Sequence, residues 1–261
     1  MENKQIVGIG RTAEVLAWEE GKVIKLYYAG FPRGTAEHEA RVADAIQKAG
    51  IPCPVFYGTI EVDGRPGLIY EWIRGPSMGD WLAKNPWQVD RVGRMLAELH
   101  IKIHTSPAPG APSQRERLQR RIQSVSLLND VQKKKALGIL EMLPDGDRLC
   151  HGDFHPGNII MASRGPLVID WVDVTSGNPL ADVARTALLI RSAIIPDDYP
   201  ARRLILLFRK RIHNTYLKTY ARLAGVEIKE IRAWDVPLAA ARLDENIIEE
   251  NEILLKIVSE G

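Results

Sequence analysis

The amino-acid sequence predicts an α+β fold with a small β-rich N-terminal lobe, residues 1–73, and a larger, mostly helical C-terminal lobe, residues 76–261. Two observations carry this prediction. Short β-branched runs separated by Gly turns occupy the first seventy or so residues, whereas apolar residues recur at helical spacing beyond Pro76. We expect a hinge at about residues 71–75, and a cleft between two such lobes is a natural ligand site.

The first lobe is predicted to contain strands and one helix. The strand patterns are Gln5–Gly10, Arg11–Trp18, Lys22–Tyr27, Val55–Ile60 and Gly67–Tyr70. Turns at Glu19–Gly21 and at Asp63-Gly64 predict two hairpins. Alanines at helical spacing predict a helix over Thr35–Lys48, with Gly50 just past its end.

The second lobe is predicted to be built mainly from amphipathic helices. These are Met78–Lys84, Asp90–His104, Gln114–Leu128, Asp130–Leu143, Leu180–Arg191, Arg202–Leu223 and Val236–Val258. The series is interrupted by a loop over Thr105–Ser113, which contains three prolines and a glycine, and later by one short hairpin.

Composition narrows the possible functions. The 261 residues are 45% hydrophobic and 26% charged, as in ordinary globular proteins, and the net charge of +2 does not favour nucleic acid or an anionic membrane as a partner. The two cysteines, Cys53 and Cys150, form no C-x-x-C pattern, which fits a reducing compartment. Neither a signal peptide nor a membrane span is predicted, so we expect a cytoplasmic protein.

The stretch HGDFHPGNII, residues 151–160, concentrates polar functional side chains ahead of an apolar strand. A hairpin is predicted from Ile159 to Ile169, and Asn158 and Asp170 flank it. Residues that flank an antiparallel hairpin lie at the same end, so we expect two oxygen ligands there, which suits Mg²⁺. Asp153, five residues earlier, is placed in the connecting loop as a proton acceptor.

This set of side chains favours phosphoryl transfer, which depends on positioning and charge neutralisation. His151, Asp153, Phe154 and Asn158 match the offsets of the catalytic loop H-R-D-L-x-x-x-N of protein kinases. There are two alternatives. One is a zinc site formed by His151 and His155, and the other is a plain polar turn. Pro156 and Gly157 argue against the helix a zinc pair would need. We expect His151 to support the loop structurally, and His155 to contact either substrate or solvent.

The first lobe offers candidates for a nucleotide site. Gly8 and Gly10 lie between two strands, where backbone N–H groups can approach phosphates, and Thr12 adds a hydroxyl. The third glycine of a G-x-G-x-x-G loop is replaced by Ala13. Plain hairpin turns also contain G-x-G, so this motif is weak by itself.

A lysine and a glutamate are expected to form a second part of the nucleotide site. Lys25 lies in an alternating strand and Glu39 on the next helix, and such a pair would hold the α- and β-phosphates. Taken alone, each is a surface charge. Glu37 is the main competitor for the pairing role.

These motifs, VGIGRTAEV, VIKLY, HEARVADAI, YEWIRG, HGDFHPGNII, VIDW and NPLADVA, resemble the aminoglycoside phosphotransferase and choline kinase-like family of small-molecule kinases. The resemblance extends to about Ile190 and is strongest over Leu149–Asp182. It implies a bilobal protein-kinase-like fold and transfer of the γ-phosphate of ATP, or of GTP, to a hydroxyl group.

The resemblance also implies roles for individual residues. Asp153 would be the catalytic base, Asn158 and Asp170 the Mg²⁺ ligands, and Lys25 with Glu39 the phosphate-binding pair. The hinge that contacts adenine through its backbone would be Glu71, Trp72 and Ile73. Asp182 would buttress the catalytic loop, although an aspartate at a helix N-terminus is also stabilised there without any other role.

Departures from the protein-kinase pattern favour a small-molecule acceptor. Trp171 and Val172 follow Asp170 in place of Phe and Gly, no Ala-Pro-Glu segment occurs, and the span from Asp170 to Pro179 is short for an activation loop. Asn178 stands where many relatives carry Asp, so it receives no role.

The acceptor is expected to be an aminoglycoside, an amino alcohol or a sugar. Asp173 is the candidate acceptor contact. The acidic segment Asp244–Glu252 would hold a cation in related enzymes, but a solvated helix face is the better interpretation. Trp72, Trp81 and Trp87 are either an aromatic box or plain packing. A catalytically inactive nucleotide-binding module and, less well supported, a protein kinase are the alternative functions.

Overall fold

A computed structural model describes residues 5–10, 12–108, 110–192 and 202–261, apart from the side chain of Ile205. The chain divides into two compact units: Met1–Met78 with Gly157–Val172, and Gly79–Pro156 with Asp173–Gly261. These units differ from the predicted lobes in two respects. The first unit continues to Met78, and it includes the hairpin segment Gly157–Val172, which chain order had assigned to the second lobe.

Nine strands occur in the described residues. They are β1 (Ile6–Ile9), β2 (Ala13–Ala17), β3 (Lys22–Tyr27), β4 (Phe56–Val62), β5 (Arg65–Glu71), β6 (Arg148–Cys150), β7 (Ile159–Ala162), β8 (Gly165–Val168) and β9 (Thr175–Gly177). Each predicted strand of the first lobe is present. Arg11, expected at the start of the second strand, lies outside the described residues.

Ten α-helices occur in the described residues. They are α1 (Arg33–Lys48), α2 (Met78–Lys84), α3 (Val89–His104), α4 (Gln114–Ser124), α5 (Asp130–Met142), α6 (Pro179–Ser192), α7 (Arg202–Ala224), α8 (Ile228–Arg232), α9 (Asp235–Arg242) and α10 (Asn251–Glu260). None of these helices has both the length and the apolar character needed to cross a membrane. The α+β class predicted from the sequence is confirmed.

The first unit is organised around one antiparallel sheet with the strand order β1-β2-β3-β5-β4. Alternation along β3 directs Ile24 and Leu26 to one face, where both are fully buried with Leu16. The opposite face carries Tyr27, which packs with Ala36 of α1. Lys25 shares this second face, so strand periodicity directs its side chain towards α1.

The predicted turn between β4 and β5 is present. Asp63 and Gly64 have φ angles of 51° and 75°, the left-handed conformation that a two-residue hairpin turn requires and that Asp-Gly adopts readily. The pairing continues from Val62 with Arg65 to Phe56 with Tyr70, interrupted by a bulge between Phe56 and Gly58.

The β7–β8 hairpin belongs to the first unit because backbone hydrogen bonds join it to that unit. Met161 N–H donates to the carbonyl of Pro76 at 2.9 Å, and Val168 N–H donates to the carbonyl of Pro52 at 2.8 Å. Proximity along the chain could not reveal these bonds.

The second unit is mostly helical, and α3 and α7 pack against each other within it. The amphipathic pattern of α3 buries Leu96 and Ile103 completely. A two-stranded sheet of β6 and β9 pairs Cys150 with Thr175. This sheet places the segment that follows Cys150 at a fixed position in the unit.

The predicted continuous helix Val236–Val258 is wrong. The structure has α9 and α10 separated by two 3₁₀ turns, and Asn246 between them has a left-handed φ of 56°. Asparagine tolerates this conformation better than most residues, so the helix breaks there. The predicted helix Gln114–Leu128 is also too long, since α4 ends at Ser124.

Candidate active site

Lys25 and Glu39 form a partly buried ion pair in the first unit. The ammonium donates to both carboxylate oxygens of Glu39, at 2.8 and 3.0 Å. Glu39 is 3% exposed and also accepts from the hydroxyls of Tyr27 and Tyr70. Glu37, the competing candidate, is exposed on the outer face of α1. The structure therefore makes Glu39 the partner of Lys25.

Asp170 lies next to this ion pair. Its carboxylate is 3.3 Å from the Lys25 ammonium, its side chain is about half exposed, and its φ angle is 64°. Burial lowers the pKa of Lys25, but the carboxylates of Glu39 and Asp170 outweigh burial and leave the pKa raised. Lys25 is thus a fixed cation beside a carboxylate that remains accessible to a ligand.

Asn158 and Asp170 flank the β7–β8 hairpin as predicted. Ile159 pairs with Val168, and Ile169 N–H donates to the carbonyl of Asn158 at 2.9 Å. The two residues therefore lie at the same end of the hairpin. An amide oxygen and a carboxylate at one site are the hard oxygen donors that Mg²⁺ takes, so these side chains fit that ion chemically.

The turn between β1 and β2 gives weaker support for its predicted phosphate contacts. Gly10 N–H donates to the carbonyl of Ala13 at 2.8 Å, and the Thr12 carbonyl accepts from Tyr28 N–H. An added Cβ at Gly8 would make only ordinary van der Waals contact with Val15. The N–H of Gly10 is therefore engaged within the turn, and the phosphate roles of Gly8, Gly10 and Thr12 stay predictions.

The predicted hinge begins where β5 ends. Trp72 N–H donates to the carbonyl of Gly21 at 2.8 Å. The Glu71 carboxylate accepts from Val55 N–H and from the Arg164 guanidinium, and this hydrogen bond with Arg164 is the main reason that the pKa of Glu71 is lowered. Glu71 is thus held by its own unit, and adenine recognition by Glu71, Trp72 and Ile73 stays a prediction.

The loop that carries Asp153 belongs to the second unit. His151 is fully buried, and its Nδ1 accepts from the backbone N–H of Asp153 at 3.2 Å. Phe154 is also fully buried and stacks on His100 with ring centroids 4.3 Å apart. Asp153 itself is about one-quarter exposed. The neighbouring side chains therefore fix the loop and leave the Asp153 carboxylate within reach of a ligand.

Gly152 is required by the geometry of this loop. Its φ angle is 79°, and an added Cβ would overlap the carbonyl oxygen of Asp173. Only glycine avoids both the strained backbone conformation and this overlap.

Asp182 on α6 holds the loop in place. Its buried carboxylate accepts from the backbone N–H groups of His151, at 2.6 Å, and Gly152, at 2.9 Å. The same carboxylate accepts from the rings of His100, at 2.9 Å, and His104, at 3.3 Å. The buttressing geometry expected of Asp182 is therefore present.

The zinc alternative gains no support from the structure. Among the described residues, the group of side chains with metal-ligand geometry is His100, His104 and Asp182, and it includes neither His151 nor His155. The Nδ1 atoms of His100 and His104 hydrogen bond with the hydroxyls of Tyr216 and Tyr220, at 2.6 and 2.7 Å. This cluster is a satisfied hydrogen-bond network.

The charges around Asp153 keep it ionised. Burial raises the pKa of this carboxyl, but His155, Arg185 and His151 outweigh burial and hold the pKa well below its usual range. The ring of His155 lies 3.6 Å from the carboxylate, and the guanidinium of Arg185 lies 3.8 Å from it. At neutral pH, Asp153 is therefore a carboxylate able to accept a hydrogen bond or a proton.

Asp173, the predicted acceptor contact, is already bound by cations of its own unit. Arg117 lies 3.2 Å from its carboxylate and Arg121 lies 3.6 Å from it. In the acidic segment, Glu245 is mostly buried and pairs with Arg121, Arg185 and Arg242. The expectation of a solvated helix face is therefore wrong for Glu245.

The arginines of this network were not predicted from the sequence. Arg117 and Arg121 are four residues apart on α4 and so share a face, but this spacing is equally typical of a solvent-exposed helix. Arg185 lies one turn after Asp182, which was a usable signal, because residues three or four apart on a helix point the same way.

Comparisons with known proteins agree with this architecture. Residues 9–226 match the sequence profile of the phosphotransferase enzyme family, APH. No curated protein sequence gives a significant match. A thermostable mutant of aminoglycoside phosphotransferase APH(4)-Ia, in apo form, has a TM-score of 0.68 at 17% identity, over 100% of this chain and 95% of that one.

Two further solved structures share the fold. The streptomycin–ATP complex of APH(2'')-IIa has a TM-score of 0.62 at 17% identity, over 99% of this chain and 90% of that one. The amicoumacin kinase hAmiN has a TM-score of 0.60 at 14% identity, over 99% of this chain and 87% of that one. The predicted protein-kinase-like fold is confirmed by these matches. Since the family profile covers most of its length, the chain belongs to the phosphotransferase enzyme family, as a small-molecule kinase.

Proposed function

We propose that this protein is a Mg²⁺-dependent kinase that transfers the γ-phosphoryl group of ATP, or of GTP, to a hydroxyl group of a small molecule. Aminoglycosides, amino alcohols and sugars are the candidate acceptors. The observation that carries the proposal is the contact of Lys25 with both Glu39 and Asp170. It combines a fixed cation for nucleotide phosphates with an accessible carboxylate for a metal ion, as phosphoryl transfer requires.

Asn158 and Asp170 would hold the metal ion. Bound Mg²⁺ would neutralise charge on the nucleotide phosphates. Lys25 would hold the α- and β-phosphates, and Glu39 would keep its ammonium in place through two hydrogen bonds. Because its raised pKa keeps it protonated, Lys25 provides this charge at any physiological pH.

Asp153 would act on the acceptor. Its lowered pKa keeps it ionised, so it can orient the alcohol by accepting a hydrogen bond from the hydroxyl. It would receive the proton as the bond to phosphorus forms, because the hydroxyl becomes strongly acidic at that point. The alcohol oxygen then forms a bond to the γ-phosphorus, and the bond from that phosphorus to the β–γ bridging oxygen breaks. The products are a phosphate ester and ADP, or GDP when GTP is the donor, and Asp153 carries the released proton until solvent removes it.

The backbone around Trp72 would bind the base of the nucleotide. Because Trp72 N–H already donates to the carbonyl of Gly21, the N–H of Ile73 and the carbonyl of Glu71 are the groups we assign to the adenine edge. At the other end of the nucleotide, Gly8 N–H and the hydroxyl of Thr12 would contact phosphate.

Two solved relatives support the nucleotide and metal assignments. APH(2'')-IIa was solved with streptomycin and ATP, and the amicoumacin kinase hAmiN with AMP-PNP, Ca²⁺ and Ami. We also expect the protein to act in the cytoplasm, in keeping with its two free cysteines, Cys53 and Cys150.

The test is an ADP-release assay across aminoglycosides, choline, homoserine, thiamine and simple sugars, with and without Mg²⁺. The proposal predicts Mg²⁺-dependent ADP release that one acceptor class stimulates strongly. Mg²⁺-dependent nucleotide binding with no stimulation by any alcohol would favour the inactive nucleotide-binding module. Phosphorylation of a protein in place of these alcohols would favour a protein kinase.

A further inference from the structure

A small cavity beside the Asp153 loop lies wholly within the second unit. Its volume is about 30 Å³, and its walls include Arg117, Arg121, Gly152, Asp173, Arg185 and Leu238. A cavity of about 10–15 Å³ is enough to hold one water molecule. The cavity therefore has room for a small polar group, such as a carboxylate, and the remainder of a larger molecule would have to lie outside it.

Three arginines face this cavity from two helices. Arg117 and Arg121 come from successive turns of α4, and Arg185 comes from α6. Arg185 is buried, and its Nε donates to the carbonyl of Gly152. Arginine presents five N–H donors in a planar fork, and this fork matches the two oxygens of a carboxylate or those of a phosphate.

The carboxylates that line the cavity are already engaged. Asp173 contacts Arg117 and Arg121, and Asp182 accepts from the N–H groups of the Asp153 loop. Neither is therefore available to an ammonium group without losing its present partners.

Arg117 retains donors that could bind an anion. Within the described residues it uses only its Nη1, which donates to the Asp173 backbone carbonyl and contacts the Asp173 carboxylate. Burial outweighs the nearby carboxylate of Asp173 and lowers the pKa of Arg117. The Nε and Nη2 groups of Arg117 are the donors that an added anion would engage.

Arg185 connects this cavity to the catalytic loop. Its Nη2 lies 2.8 Å from Glu245 and 3.8 Å from the carboxylate of Asp153, and Gly152 is part of the cavity wall. A molecule whose anionic group enters the cavity would therefore have its neighbouring carbons close to Asp153.

We propose that the acceptor is a small alcohol that also carries an anionic group, a carboxylate or a phosphate, bound by Arg117 and Arg121. This inference rests on the proposed kinase function. It narrows the acceptor class away from cationic amino alcohols and polycationic aminoglycosides, because the acid expected to bind a cation, Asp173, is held by arginines.

The test uses acceptors matched in size and different in charge. One series is D-glycerate, glycerol 3-phosphate, glycerol and serinol, and the other is gluconate, glucose and glucosamine. ADP release is measured with saturating Mg²⁺–ATP, and kcat and KM are determined for each acceptor. We expect an anionic member to have a kcat/KM at least about tenfold above its neutral and amino partners. Comparison of D-glycerate with glycerol 3-phosphate separates a carboxylate from a phosphate ligand.

Variants on α4 locate the anion site. Arg117→Gln should raise the KM for the anionic acceptor about tenfold or more while changing its kcat and the KM for ATP little, because a charge-assisted hydrogen bond is lost only in binding. Arg121→Gln serves the same purpose if Arg117→Gln fails to fold. Arg120→Gln is the matched control, since Arg120 is exposed on the same helix.

The outcomes separate this inference from the proposed function. Preference for glycerol, glucose or an amino member overturns the anionic acceptor and leaves the kinase assignment intact. An anionic preference that Arg117→Gln and Arg121→Gln leave unchanged also overturns it, because the arginines would then have no part in recognition. Absence of ADP release with every acceptor contradicts the kinase proposal, and this inference with it.

Discussion

Replacement of Asp182 by asparagine should destabilise the protein and disorder its catalytic loop. The carboxylate is 1% exposed and accepts from four donors, the backbone N–H groups of His151 and Gly152 and the rings of His100 and His104. The asparagine side chain would have one oxygen in place of two. Its amide nitrogen would face either the N–H of Gly152 or the three donors that now share Oδ2.

The cost follows from these contacts. With the oxygen kept on the side of the three donors, one charge-assisted hydrogen bond to Gly152 is lost, which costs about 1.5–3 kcal/mol, and the others weaken because the acceptor becomes neutral. We therefore expect a loss of about 3 kcal/mol in the free energy of unfolding. For a chain of this size, that corresponds to a decrease of about 6–12 °C in the melting temperature.

The assay is thermal unfolding of Asp182→Asn followed by circular dichroism, together with turnover of the best acceptor. Asp147→Asn is the control, because that side chain is 86% exposed and its replacement should change stability by less than about 0.5 kcal/mol. If Asp182→Asn melts within about 2 °C of the unmodified protein, the argument that Asp182 supports the loop is refuted.

Three further variants or conditions give sharp expectations. Glu39→Gln should raise the KM for ATP about tenfold, because charge-assisted hydrogen bonds to the Lys25 ammonium are lost. Glu37→Gln, at an exposed position of the same helix, should leave this KM unchanged. Equal effects of the two variants would contradict the pairing of Lys25 with Glu39. Gly152→Ala should lower both activity and melting temperature because its Cβ would overlap the carbonyl oxygen of Asp173. The control Gly138→Ala, in open space on α5, should leave stability unchanged or raise it. A fully active Gly152→Ala would count against the loop geometry. Burial, with the nearby His104, lowers the pKa of His100 to about 3, so below pH 6.5 the unfolded chain binds a proton at this ring that the folded protein does not. The free energy of unfolding should therefore fall by about 2 kcal/mol between pH 6.5 and 5. A free energy of unfolding that does not change with pH in urea titrations would contradict this.

Local chemistry allowed much of the first unit to be predicted. Alternation along β3 and the Asp63-Gly64 turn each allow essentially one structure, and the structure contains both. The placement of Asn158 and Asp170 at one end of a hairpin followed from antiparallel register alone. Short-range geometry decides these features.

The remaining features depend on tertiary contacts. Ile247, Leu254 and Leu255 fit one long helix as well as two short ones, and the break at Asn246 depends on its left-handed backbone. Arg117, Arg121 and Arg185, which pair with Asp173 or Glu245, come from α4 and α6, more than fifty residues away along the chain. Residue types could not show that these acids are occupied by arginines.

The central claim is that Asp153 serves the acceptor and Asp170 the metal ion. Separate replacement of these two acids tests it most directly. ATP binding with and without Mg²⁺ is measured by calorimetry for Asp153→Asn and Asp170→Asn, and turnover is measured for both. We predict that Asp153→Asn binds Mg²⁺–ATP nearly normally while turnover falls roughly 10²–10⁴-fold, and that Asp170→Asn loses the Mg²⁺-dependent part of binding. Undiminished turnover in Asp153→Asn, or unchanged Mg²⁺-dependent binding in Asp170→Asn, would contradict the account.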